Sequence, residues 1–431
     1  MSIQLAAIAF NRDTTSATAD AINLRVNNHQ GLTIPEWRAG ISRDAGDSVA
    51  CYALEEIAGR TLTIAAQFVR RDPTLQRAEI RTVSQPEPLP VPVPGFPYFP
   101  YYLYSASPWQ ALFVYLWYYS LLAEALPSAP GVLGDVEPRE VTFAGGNETP
   151  FETCTLRNVG LQSRGVGVHQ VTWRWQYRVQ PQDPWSTFAV SRHLIYSILA
   201  TPTAPWVQQP YVPGNTQLPW AEALDLACRW AAGARTRDEA ATRITEAVYG
   251  TGGERVEYDC VGPSALNLGS PHYTLIPGVF DCTEFLERVR GGFGNGRYVN
   301  CSDCASAVAT LSNIVGCDLW ESRMFGAVPF PLNPTRAIGS PTWLSACSLG
   351  AYNMHEVAWK NNCTEQDEVF DASLQIDGDL DPTRAPHSPR FAANIRFGFP
   401  GEGQYRDRLA SPAGRLLCQP QPLSRQRRFV I

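Results

Sequence analysis

The chain has 431 residues and a mass of 47.6 kDa, with 44% hydrophobic and 18% charged residues. At about 100–200 residues per domain that gives two or three domains and a substantial core, which excludes the disordered and collagen-like classes. Net charge is −6. A nucleic-acid binder carries a basic face, but the only basic cluster here is Arg425, Arg427 and Arg428, read as a solvated tail, so nucleic acid is not an expected partner.

Of the 35 basic residues, Lys360 alone is a lysine, as a GC-rich genome would produce. The 35 prolines and 12 tryptophans suit irregular connections and β-rich packing. Eleven cysteines leave at least one thiol outside any internal disulfide. The first residues lack a basic region, and their apolar run is too short for a signal peptide. A cytoplasmic location with mostly reduced thiols is expected, with leaderless export as the other route.

Residues 1–85 read as short strands: Ile22–Val26, Arg38–Ile41, Thr61–Phe68 and Ala78–Val83. Residues 135–200 resume that character. In Val171–Val179, Trp173, Trp175 and Tyr177 fall on one face, with Arg174, Gln176 and Arg178 on the other. Together these stretches predict an antiparallel β-sandwich domain over residues 1–200. A Pro- and aromatic-rich insertion at 86–130 interrupts it. Its prolines 86, 88, 90, 92, 94, 97 and 100 describe an extended run, and Ser107 with Pro108 opens an apolar helix. Only thirteen residues separate Gln110 from Glu124, short of the ~20 that a membrane span needs. Burial against the β domain or a protein partner, through residues 86–126, is expected instead; membrane contact is not.

A Pro-rich linker, 201–218, leads to helices at Trp220–Ala232, from Thr236 to about Val248, and at Thr283–Arg290. Next comes Asn300-Cys-Ser-Asp-Cys-Ala, opening a helix that ends at Gly316. Cys301, Ala305, Val308, Ser312 and Val315 share one face. Cys301 thus sits at a helix N-terminus, where free amides and the macrodipole favour the nucleophilic thiolate. Cys304 packs beneath it. The CxxC spacing admits a redox pair, half a zinc site or a nucleophile.

A nucleophilic thiolate requires a histidine, and a third group to orient it. His355 lies in one strand, Tyr352–Lys360, and Asp371 in the next, Asp367–Ile376, with Asn361–Gln366 as the turn. A hairpin centred on Cys363 sets His355 directly across from Asp371, within carboxylate–imidazole reach. A slip of one residue would separate them.

These three elements resemble the transglutaminase-like superfamily of papain-related thiol enzymes. The shared pattern is Asn300-Cys301-Ser302-Asp303-Cys304-Ala305 with Gly316, then His355-Glu-Val-Ala-Trp359, then Phe370-Asp371-Ala-Ser373, where Ala-Ser replaces Pro-Thr. The resemblance covers roughly residues 220–375. It implies an α+β domain over 219–431 behind the β domain, with Cys301 as nucleophile, His355 as base and Asp371 as orienter. It also implies thioester chemistry at a peptide or glutamine-type amide. Hydrolysis is favoured over transamidation, with a protein or peptide as substrate. Arg323 is the nearest candidate for the Arg-x-x-x-Gly element that often follows the cysteine helix. The prolines of Leu319–Gly350 mark a segment that shapes or covers the cleft.

No cofactor is expected. Asp377, Asp379 and Asp381 alternate, but they are only part of a Ca²⁺ ligand set and read as a solvated turn. The alternative class is a non-catalytic binding protein with a vestigial triad, whose working surface is the β domain and its insertion.

Overall fold

The computed structural model describes residues 2–11, 21–25, 32–33, 36–85, 131–202, 219–260, 272–275, 278–344, 350–379 and 381–431. The insertion at 86–130 and most of the linker lie outside the described residues, with the helix read at 107–126. The fold is α+β.

The N-terminal half forms two five-stranded sheets. The strands are β1 (Ile3–Ala9), β2 (Glu36–Arg38), β3 (Val49–Ala53), β4 (Thr63–Arg70), β5 (Arg77–Gln85), β6 (Asp135–Val136), β7 (Arg139–Thr142), β8 (Glu152–Arg157), β9 (Gly167–Arg178) and β10 (Ser186–Ile198). One sheet runs β2-β1-β4-β8-β6 and the other β3-β10-β9-β5-β7. Antiparallel pairing was expected throughout. It holds except for β3, which lies parallel to β10, so that sheet is mixed. The alternation in β9 works as read: Trp173 and Trp175 are fully buried between the sheets, while Arg174 is exposed.

Tryptophan packing encloses His193. Its Nδ1 lies 2.9 Å from Ser48 Oγ and its Nε2 2.8 Å from Ser191 Oγ, beneath Phe10, Trp37 and Trp173. With no counter-charge, burial lowers its pKa from 6.5 to about 3. Between those values the unfolded chain binds a proton that the folded one refuses. The ring's contribution to stability is therefore complete above pH 6.5 and falls as pH drops toward 3. The slope approaches ~1.4 kcal/mol per pH unit. Urea unfolding across this range should show that slope, and His193→Gln should flatten it; an unchanged slope would contradict the assignment.

The C-terminal half begins with α1 (Ala221–Trp230) and α2 (Arg237–Gly250), the latter capped by Thr236, whose hydroxyl accepts Glu239 N at 3.2 Å. Then follow β11 (Glu257–Tyr258), β12 (Val279–Phe280), α3 (Cys282–Val289), β13 (Tyr298–Val299) and α4 (Cys301–Ile314). The strands β14 (Trp320–Pro331), β15 (Arg336–Ala337), β16 (Ala351–Trp359), β17 (Glu368–Asp377) and β18 (Pro389–Arg396) lead to α5 (Tyr405–Leu409), β19 (Gln419–Pro420) and β20 (Phe429–Val430). The main sheet is ordered β15-β17-β16-β14-β19, with β18 also on β17.

One apolar face was expected on α4. Every residue but Ser302 is buried, because the helix is covered by β16 and β17 on one side and by α1 and α2 on the other. Alanines at 305, 307 and 309 permit that close approach. Gly316 ends the helix at φ +93°, and a Cβ there would lie 2.4 Å from Ala200 N. Next to it, Leu199 N donates to Val315 O, joining the end of β10 to the end of α4. Alternate residues of β10 serve two cores: Ile195 packs inside the sandwich, while Tyr196 and Ile198 belong to the core of the C-terminal half, where β10 meets α1.

The basic cluster near residue 425 is not a solvated tail. Residues 429–430 add to Val279–Phe280 as a parallel strand, which draws Arg428 into the interior at 3% exposure. Arg425 and Arg427 lie over the Trp320 ring at 3.3 and 3.8 Å. Strand pairing and the burial of Val430 override what the charge pattern suggested.

Candidate active site

Cys301 is the first residue of α4. Asn300 Oδ1 accepts Asp303 N at 2.9 Å and Asp303 Oδ2 accepts Asn300 N at 2.9 Å, a complete capping box. Asp303 is buried and also accepts Thr274 N at 2.6 Å, so the acid fixes the helix start rather than facing solvent. Cys301 retains 8% exposure, enough for the cap to present its thiol at the edge of the core.

His355 and Asp371 meet, though not in the expected register. Ala358 pairs with Phe370 and Trp359 with Val369, two residues displaced from the hairpin centred on Cys363. The turn is responsible. Lys360 N bonds Glu368 O, Asn361 and Cys363 adopt φ of 50° and 60°, and the Asp367 carboxylate accepts Thr364 N and Oγ1, each at 2.8 Å. A shift of two preserves which face each side chain occupies. Past Phe370, β17 pairs with β15 instead of β16. In that opening His355 Nε2 reaches Asp371 Oδ2 diagonally at 3.0 Å.

Asp371 is buried and saturated. Its Oδ1 accepts Ser373 N (2.8 Å), Ser373 Oγ (2.7 Å) and Leu374 N (3.2 Å), and its Oδ2 also accepts Tyr405 Oη at 2.8 Å. Burial opposes its charge, but His355 and these donors hold its pKa below the ordinary value. Ser373 thus supplies both its amide and its hydroxyl to the carboxylate. A carboxylate only accepts, so Nε2 carries hydrogen. Burial disfavours the imidazolium, yet Asp371 and then the Cys301 thiol outweigh it and raise the His355 pKa. Nε2 is committed to Asp371, which leaves the buried Nδ1 as the nitrogen for the Cys301 thiol.

Sequence reasoning missed three tyrosines. Tyr405, on α5, comes from 34 residues beyond Asp371, and no local pattern marks it. Tyr352 stacks on the His355 ring, centroids 5.5 Å apart. A spacing of three puts the two on opposite faces of a regular strand, but the ladder to β14 is interrupted between Phe325 and Phe330 beside them. Tyr258, on β11, and Tyr352 lie within electrostatic reach of Cys301; burial pushes both phenols up, and the cysteine adds to it. Cys304 is buried beneath the site, and burial drives its thiol well above the ordinary range.

Cys301 and Cys304 are not joined by a disulfide, while Cys260 is disulfide-bonded. Among the described residues, no three of His, Cys, Asp and Glu gather to hold a metal. Asp377 is buried, against the solvated-turn reading. It accepts His387 Nδ1 (2.7 Å), Asp379 N (3.0 Å) and Ser388 N (2.9 Å), while Asp379 and Asp381 are exposed. Arg323 lies 3.4 Å from Glu356 Oε2. Among the described residues, no helix is long and apolar enough to cross a membrane.

The described fold is similar to the crystal structure of red sea bream transglutaminase, with a TM-score of 0.34 and 10% identity over 78% of this chain and 50% of that one. The chain thus spans about half the length of that structure. No family model and no curated protein matches the chain.

Proposed function

We propose that the protein is a thiol enzyme that hydrolyses an amide bond in a protein or peptide through a Cys301–His355–Asp371 triad. The observation that carries this reading is the buried His355–Asp371 pair, 3.0 Å apart, at the capped N-terminus of the helix that bears Cys301. Such a constellation is recognised by geometry and roles.

The Cys301 thiolate attacks the amide carbonyl. The Cys301 backbone amide is one donor for the oxyanion, and we assign the second to the buried hydroxyl of Tyr352, whose ring stacks on His355. His355, whose raised pKa keeps Nδ1 protonated, gives that proton to the departing amine, and the C–N bond breaks to leave a thioester. Water then attacks the thioester, His355 takes its proton, and the acid leaves with the thiol restored. An amine in place of water would give transamidation by the same steps.

The test is the rate of Cys301 alkylation by iodoacetamide against pH, read by mass spectrometry. Wild type should label quickly well below pH 8, and His355→Ala should slow labelling at pH 6.5 by about 10- to 100-fold as the thiol reverts toward ordinary behaviour. A slow, ordinary profile in wild type, unchanged by the mutation, would refute the reading.

A further inference from the structure

The nucleophile and the base each have a neighbour in a buried ionic network that the triad does not use. Ser302, next to Cys301, donates to Glu356 Oε2 at 2.6 Å, and Glu356 is the residue after His355. Arg428 Nη2 lies 2.7 Å from Glu356 Oε1. Its Nη1 pairs with Glu321 and lies 3.0 Å from Ser306 Oγ. Ser306 in turn bonds Ser302 O at 2.8 Å, one turn back on α4.

Glu321, Glu356 and Arg428 are all buried. Two buried carboxylates require compensation. Besides Arg428, the cation on Glu356 is Arg323, whose side chain is 42% exposed. Arg428 therefore supplies the buried positive charge. The network spans four separate pieces of chain: the first turns of α4, the strand β14, the strand β16 and the segment just before β20. It bolts the turn that carries Cys301 to the strand that carries His355.

We propose that Ser302, Glu356 and Arg428 are positioning residues that fix the Cys301–His355 separation, so that the reactivity of the thiol depends on the docked 426–431 segment. The proposal rests on the reading of Cys301 and His355 as a working pair. Other groups also act at the site: Asp303 and Cys304 on α4, Asp371 on β17, and Tyr258 and Tyr352 on β11 and β16. Among the described residues none of these is hydrogen-bonded or ion-paired to Ser302, Glu356 or Arg428, but the Arg428 charge also acts through space on Asp303 and Cys301, so Ser302→Ala, which changes no charge, isolates the positioning effect.

The experiment measures iodoacetamide labelling of Cys301 against pH in the full chain, for wild type, His355→Ala, Arg428→Gln, Arg428→Lys and Ser302→Ala. Arg428→Gln should slow labelling at pH 6.5 by about tenfold and move the profile up by about one pH unit. Arg428→Lys, which keeps the charge and loses the fork, should recover most of that rate. Ser302→Ala removes one hydroxyl from a partly exposed position, so it tests the clamp even if Arg428→Gln does not fold. It should slow labelling about three- to tenfold, the net effect of one ordinary hydrogen bond. If wild type responds to His355→Ala but Ser302→Ala and folded Arg428 variants label like wild type, the clamp is overturned and the triad stands. If wild type itself does not respond to His355→Ala, the working pair falls, and the clamp with it.

Discussion

Cys301→Ala should lower cleavage of a susceptible peptide amide by about 10⁴-fold or more, to what binding and oxyanion donors alone supply. The fold should survive, since alanine is the best helix former and the site loses one sulfur atom at 8% exposure. Residues that act as a unit are not additive, so adding His355→Ala to Cys301→Ala should cost little more. The measurement is kcat/KM on peptide amides, with thermal melting as the control for folding. Undiminished cleavage by Cys301→Ala would remove it as the nucleophile.

Asp371→Asn should lower kcat by about 10²–10⁴-fold with a smaller change in KM, because the imidazole loses its orienting anion while its neighbours stay in place. It should also move the alkaline limb of the kcat profile to lower pH. The Asp371 charge is what raises the His355 pKa, so without it the imidazolium loses its proton sooner. Stability should follow the same pair. The raised His355 contributes fully below its ordinary 6.5 and loses that as pH rises through its folded value; the depressed Asp371 contributes fully above 3.8 and loses that as pH falls. Asp371→Asn should therefore destabilise most between about pH 4 and 6.5. A variant with wild-type kcat and an unmoved profile would show that Asp371 does not orient His355.

The parts of this fold that were legible in the sequence are those set by local chemistry. Thr236, Asn300 and Gly316 announce helix ends because caps act within one turn, and Trp173 with Trp175 announce a buried face because strands alternate. The Cys301 and His355 segments were legible for the same reason. The hairpin register was not, because it depends on the left-handed Asn361 and Cys363 and on the Asp367 carboxylate closing the turn. Parity rescued the pairing: an error of two leaves His355 and Asp371 on one face, where an error of one would not. Tyr405 and Arg428 were illegible because each reaches the site from a distant part of the chain, and charge pattern alone misread Arg428 as solvated.

The two-sided strand β10 bears on how this chain can be divided. Ile195 faces one core while Tyr196 and Ile198 face the other, so the second sheet is an interior partition. Cutting the chain at the 201–218 linker would strip that partition bare on one side and leave α1 without its opposite wall. Each fragment would present a contiguous apolar surface, the condition for aggregation. The nucleophile-bearing part is therefore not a transplantable module: its solubility resides partly in a strand that ends before the linker begins.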